Sequence, residues 1–185
     1  MQYSRVYGAN RRMGIASVGV GGKGWSDLTG VAASPEVKVV ALCDIDSSEQ
    51  HLGRAAKQYP AARQHADWRR LLDDAKDIQG ILVSTPDFMH APVALAAMQD
   101  GKHVFCQKPL THTVHEARQM RLAAEKFNAV TQMCNQIQSH SAYRTAVHMV
   151  HSGLIGKVRQ VHSWQGGTPR WARQDRSAAA EEGTR

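Results

Sequence analysis

The chain has 185 residues, enough for one domain of about 150 residues and the start of another. Its 42% hydrophobic content suits a globular core, yet no apolar run approaches the roughly 20 residues of a membrane-spanning helix. The formal net charge of +7 is carried by scattered cations such as Arg11, Arg12, Arg69, Arg70, Arg118, Arg121, Arg170 and Arg173. No aromatic-interleaved basic stripe and no zinc-finger or helix-turn-helix spacing accompanies them, which argues against a nucleic-acid partner.

The first apolar run, 15–20, predicts a buried strand, and a helix is expected over 23–33, closed by Ser34-Pro35. A second strand is predicted over 37–43. Ser47 with Gln50 suggests a capping box for a helix running to about Tyr59, stopped by Pro60. A short third strand over 63–66 precedes a helix over 68–74 capped by Asp67. Residues 80–84 form a strongly apolar fourth strand, followed by an alanine-rich helix over 92–99 that stops at Asp100-Gly101. A fifth strand is expected over 103–106. Thr113 and Glu116 form a second capping box, opening a helix to about Phe127. A sixth strand over 130–133 and a helix over 142–151 complete the series.

Strands alternating with helices imply an α/β fold with a doubly wound, mainly parallel sheet covered on both faces. In such sheets ligands lie beyond the carboxyl ends of the strands. The first strand end carries Gly19, Gly21 and Gly24 on G-x-G-x-x-G spacing, and Asp44 closes the second strand 20 residues after Gly24. This is the dinucleotide-binding arrangement. Gly19 allows a tight turn, Gly21 lets the backbone approach a pyrophosphate, and Gly24 lets the helix pack on the strand. The helix N-terminus offers free N–H groups and a positive dipole end to the phosphates. Asp44 can accept hydrogen bonds from an adenosine ribose. That favours NAD, since a carboxylate repels the 2′-phosphate of NADP; no arginine follows at once and Asp46 adds negative charge.

Three cysteines, Cys43, Cys106 and Cys134, are too few and too dispersed for a disulfide framework or a C-x-x-C site and read as small buried hydrophobes. His112/His115 and His148/His151 have i,i+3 spacing, but neither pair has an acid or cysteine placed to complete a metal site.

Two strand ends carry a longer pattern: Thr85-Pro86-Asp87-Phe88-Met89-His90, then Gly101-Lys102-His103-Val104 and Gln107-Lys108-Pro109. It resembles the glucose–fructose oxidoreductase / inositol dehydrogenase / MocA family, whose members read T-P-x-x-x-H, G-K-H-V and E-K-P. Residues 131–136 and 153–158 also look like family segments, so the resemblance runs from about Ala9 to about Trp164.

The resemblance implies a Rossmann half that binds a nicotinamide cofactor, NAD with NADP as the variant. It also implies hydride transfer at a hydroxyl-bearing carbon of a polyol, sugar or cyclitol. The cofactor residues it implies are Gly19, Gly21, Gly22, Lys23, Gly24, Asp44, Thr85, Pro86, His90, Gln107, Lys108, Pro109 and Asn135. Lys108 is the catalytic candidate, an ammonium able to stabilise negative charge developing on the substrate oxygen. Pro109 shapes its loop, and in the family that peptide bond is often cis. His90 either contacts cofactor or substrate or caps the following helix.

The chain also departs from the family. Glutamine stands at 107 in place of glutamate, and Cys134 stands where glycine is common. The family's G-x-x-x-D-x-x-x-H substrate segment is absent. The expected organisation is an N-terminal extension (1–12), a cofactor domain (13–152), and a truncated substrate domain with a disordered tail (153–185) whose first strand is 157–164. The usual homo-oligomer interface, the second domain's sheet, would be missing. As written, the chain carries no signal peptide and reads as cytoplasmic; residues 4–10 resemble the stretch that follows a twin-arginine signal in exported relatives. Two readings stand: an oxidoreductase of this family, or a module that binds NAD(H) without turnover.

Overall fold

In the computed structural model, residues 12–74 and 76–164 are described. Six strands, β1 (Met13–Val18), β2 (Val37–Cys43), β3 (Arg63–His65), β4 (Gly80–Val83), β5 (His103–Cys106) and β6 (Thr131–Met133), form one sheet in the order β3-β2-β1-β4-β5-β6. Every neighbouring pair is parallel. The order reverses between β1 and β4, which creates a crevice at their carboxyl ends.

The helices are α1 (Gly22–Ala32), α2 (Leu52–Gln58), α3 (Trp68–Asp73), α4 (His90–Gln99), α5 (Val114–Phe127) and α6 (Ser141–His151). The two sheet faces bury separate cores. On one face Ile15, Val39, Leu42 and Leu82 pack with Leu28 of α1 and Leu52 and Ala55 of α2. On the other, Val18, Val40, Ile81, Val83 and Val104 pack with Leu71 of α3, Val93, Ala97 and Met98 of α4, and Met120 of α5. Alternation within β4, with Ile81 and Val83 on one side and Leu82 on the other, is the two-residue period of a strand buried on both faces. The run read as a strand over 15–20 therefore ends at Val18, and Gly19 and Val20 turn out of the sheet.

Two expected helix starts behave differently. Thr113 accepts the Glu116 N–H at 3.2 Å while Glu116 accepts the Thr113 N–H at 2.8 Å, so the capping box at α5 forms. The box at Ser47 and Gln50 does not. Asp44 takes the Asp46 N–H and Asp46 takes the Ser48 N–H, so two successive Asx turns carry the chain to a helix that opens at Leu52. The two turns occupy the segment where the Ser47 cap was expected, and the helix starts later than the sequence suggests. The C-cap of α5 is Asn128 at φ +51°, a left-handed position asparagine tolerates.

The chain divides into two compact units, one up to Gln136 and one from Ile137. In the second, α6 is N-capped by His140, whose Nδ1 accepts the Ala142 N–H at 3.2 Å. Gly153 and Gly156 follow with positive φ, and residues 157–164 form no strand. The strand expected there has no partner among the described residues, and a lone strand has no ladder to define it. The N-terminal extension up to residue 11 and the tail from residue 165 onward lie outside the described residues.

The contrast between the two helix starts is measurable. Thr113→Ala is expected to cost about 1 kcal/mol of unfolding free energy in urea titration, and Ser47→Ala less than about 0.5 kcal/mol.

Candidate functional site

β1 delivers Gly19 at φ +81°, where a Cβ would also stand 2.6 Å from the Ser84 carbonyl oxygen. Both the torsion and the contact exclude a side chain. A Cβ on Gly24 would run into the Gly19 carbonyl oxygen, so α1 sits directly on the turn. Gly21 is the N-cap of α1 and no side chain caps it; the first turn holds no acidic residue. The N–H groups of Gly22, Lys23 and Gly24 thus begin the helix without intrahelical partners. Gly22 has φ +48° with open space where a side chain would project.

A cleft of about 800 Å³ opens at the switch point. Of the candidate residues, Gly19, Gly21, Asp44, Thr85 and Pro86 line it together. Asp44 also does structural work that its sequence position does not reveal. Its Oδ2 accepts the Val20 N–H at 2.9 Å and its Oδ1 the Asp46 N–H at 3.1 Å, so the carboxylate pins the glycine turn to the end of β2. A carboxylate has about four acceptor positions, which leaves capacity for a sugar hydroxyl. His51 stands 3.4 Å from Asp44 and 3.6 Å from Asp46, with its ring against Gly21.

The Thr85-Pro86 turn forms the opposite wall. The Thr85 hydroxyl oxygen is buried without a hydrogen-bond partner, while the residue itself borders the cleft. His90 is 1% exposed and does not line the cleft. Its Nδ1 lies 2.7 Å from the Pro109 carbonyl oxygen and its Nε2 2.8 Å from that of Thr85, so it clamps the loop after β5 to the loop after β4. Lys108 and Pro109 are exposed on that clamped loop, and the bond between them is cis. Asn135 is exposed after β6, three strands from β1, or about 14 Å at ordinary strand spacing. Cys134 holds no left-handed torsion, since Asn128 is the positive-φ residue other than glycine among the described residues.

Beneath the glycine turn lies a buried network absent from the sequence reading. Asp27, on the second turn of α1, is 7% exposed. Its Oδ1 pairs with the Lys23 ammonium at 2.6 Å, and its Oδ2 accepts from the Ser84 hydroxyl at 3.0 Å and the Gln107 amide at 2.7 Å. Gln107 Oε1 in turn accepts the Lys108 N–H at 3.1 Å. Lys23 is thus committed to an intrahelical pair.

The cleft thus combines the N–H donors of an uncapped helix end with the acceptor oxygens of the Asp44 carboxylate. The Gfo/Idh/MocA profile, an oxidoreductase family with an NAD-binding Rossmann fold, matches residues 13–134. The chain belongs to this family. Its Rossmann half is 31% identical over 126 residues to levoglucosan dehydrogenase of Pseudarthrobacter phenanthrenivorans, covering 68% of this chain and 31% of that protein. It is 30% identical over 151 residues to an α-N-acetylgalactosaminidase of Shewanella oneidensis, covering 78% and 33%. The crystal structure of myo-inositol 2-dehydrogenase from Lactobacillus plantarum superposes with a TM-score of 0.71 at 25% identity, covering 80% of this chain and 43% of that one. The chain spans about a third of the length of these curated relatives.

In this Gfo/Idh/MocA half, sequence reasoning missed Asp27, His51, Trp68, Arg69 and Phe88. The i,i+4 spacing of Lys23 and Asp27 was the available signal for the first; the others reach the cleft only through tertiary folding. Among the described residues no three His, Cys, Asp or Glu side chains cluster to hold a metal, and no helix is long and apolar enough to cross a membrane.

The cysteines are buried, as their strand-end positions suggested. Burial pushes the Cys106 thiol up to about 12, and burial together with the neighbouring Asp44 and Asp67 carboxylates does the same for Cys43. Neither forms appreciable thiolate near neutrality. Both are expected to resist iodoacetamide at pH 7.5 in the folded protein and to react in 8 M urea, as peptide mass spectrometry of the alkylated chain would show.

Proposed function

We propose that this chain binds NAD and forms the cofactor half of a dehydrogenase acting on a polyol, sugar or cyclitol derivative. The observation that carries the reading is one cleft lined by Gly21 at the uncapped α1 N-terminus, by Asp44 and by the Thr85-Pro86 turn. The N–H groups of Gly22, Lys23 and Gly24 would hold the pyrophosphate, helped by the helix dipole. Asp44 would accept from the adenosine ribose. Thr85 and Pro86 would border the nicotinamide side, with His90 and Gln107 fixing the loop that presents Lys108 and Pro109. Asn135 would complete the rim.

NAD, when bound, supplies the carbon that accepts or returns the hydride. Lys108 would donate a hydrogen bond to the substrate oxygen and stabilise the negative charge that gathers there. The sugar or cyclitol class follows from the relatives, levoglucosan dehydrogenase and myo-inositol 2-dehydrogenase. Catalysis is proposed for the arrangement in those longer proteins; for the 185-residue chain the proposed activity is NAD(H) binding.

NAD is preferred to NADP on charge. Asp44, Asp46 and Asp67 all line the cleft. The Ser48 N–H holds Asp46 below the ordinary carboxylate range, and the Arg69 N–H does the same for Asp67. Arg69, the cation best placed for a 2′-phosphate, is already 3.3 Å from Asp67 and stacked on Trp68 at 4.5 Å.

Fluorescence titration of the purified chain tests this directly: NADH should bind more tightly than NADPH. Asp44→Ala is expected to weaken NADH at least about tenfold, and NADPH by a smaller factor, because only the ribose diol of NADH uses that carboxylate. Equal losses for the two coenzymes would remove the ribose assignment.

A further inference from the structure

We propose that Asp27 is a positioning residue that dictates an amide at position 107 and, through it, the placement of the Lys108 loop. The inference rests on the cofactor reading above.

The Gln107 side chain makes two bonds of opposite sense. Its amide nitrogen donates to Asp27 Oδ2 at 2.7 Å, and its oxygen accepts the Lys108 N–H at 3.1 Å. Asp27 is ringed by donors: Lys23 from the same helix, Ser84 from the end of β4, and Gln107 from the end of β5. Only a side chain carrying both a donor and an acceptor can bridge Asp27 to the Lys108 backbone. An ionised glutamate at 107 can only accept, so it would face Asp27 carboxylate to carboxylate at hydrogen-bond distance. The departure at 107 from the family's E-K-P pattern thus has a local cause, on a helix 80 residues earlier in the chain. The network is nearly closed to solvent: Gln107 is 5% exposed and the Asp27 side chain 4%. A mismatch there has little water to relieve it.

The bridge joins three parts of the cofactor site. Lys23 belongs to the first turn of α1, Ser84 contributes the carbonyl that excludes a side chain at Gly19, and Gln107 holds the Lys108 N–H. A change at 107 acts on the nicotinamide side through Lys108. It leaves in place the Asp44 carboxylate and the α1 N–H groups that face the adenosine and pyrophosphate.

Four versions of the full chain test this: wild type, Q107E, D27N, and the exchanged pair D27N/Q107E. Each is titrated with NADH and with ADP-ribose, which lacks the nicotinamide, and melted by circular dichroism. Q107E is expected to weaken NADH about tenfold and ADP-ribose less than about threefold. The exchanged pair restores a donor opposite an acceptor and should recover NADH to within about threefold of wild type. The proposal is overturned if Q107E binds NADH like wild type, if it loses both ligands equally, or if the exchanged pair is no better than Q107E. A wild type that binds neither ligand would instead overturn the cofactor reading. The melting midpoints would then judge the pair alone: recovery in the exchanged pair supports the coupling, and additive losses overturn it.

Discussion

The structure depends on one backbone-to-backbone approach. Gly19 lies so close to the Ser84 carbonyl, and Gly24 so close to the Gly19 carbonyl, that neither position has room for a methyl group. These contacts bring the ends of β1 and β4 and the first turn of α1 to one place. Once α1 is seated there, its uncapped end must face the crevice, because the crevice is where the sheet order reverses. The same seating turns Asp27 inward to meet Ser84 and Gln107, and sets the Val20 N–H where Asp44 can accept it. Backbone groups, which carry no side-chain identity, thus organise the charged residues around them.

That hierarchy explains what the sequence reveals. The parallel sheet and both layers of helices are legible because β1, β2 and β4 are nearly continuous apolar runs, and such runs have few alternatives in an alternating chain. The glycine turn is legible because its requirement is steric and only glycine meets it. Asp44 is legible by distance, although its hold on Val20 is not. The start of α2 is misread because Ser47 and Gln50 satisfy a local rule while Asp44 and Asp46 satisfy a stronger one. His90 shows the same limit from the other side. Helix capping and ligand contact are both reasonable for a histidine at a helix start, yet the ring binds two loops whose proximity only the folded sheet creates. Asp27 and Gln107 are 80 residues apart, and no local pattern links them. The strand expected at 157–164 fails for the same reason: a strand is a relation between two segments, and no partner segment lies among the described residues.

Charge is distributed against the first impression of the composition. A net +7 suggests that lysine and arginine draw in an anionic cofactor. At the site they do not act that way. Lys23, in the first turn of α1, is paired with Asp27, and Arg69 with Asp67. The side chains bordering the cleft include Asp44, Asp46 and Asp67, so the fields that favour an anion come from the helix end and its unpartnered N–H groups. A ligand matched to this cleft therefore carries its negative charge at one point, beside α1, and presents neutral hydroxyls to Asp44. A dinucleotide with an unphosphorylated ribose has that distribution. One with a 2′-phosphate places a second anion among three carboxylates, two of them held ionised by backbone N–H groups. If the proposed preference for NAD holds, it would arise as much from repulsion of the 2′-phosphate as from attraction of the free ribose diol.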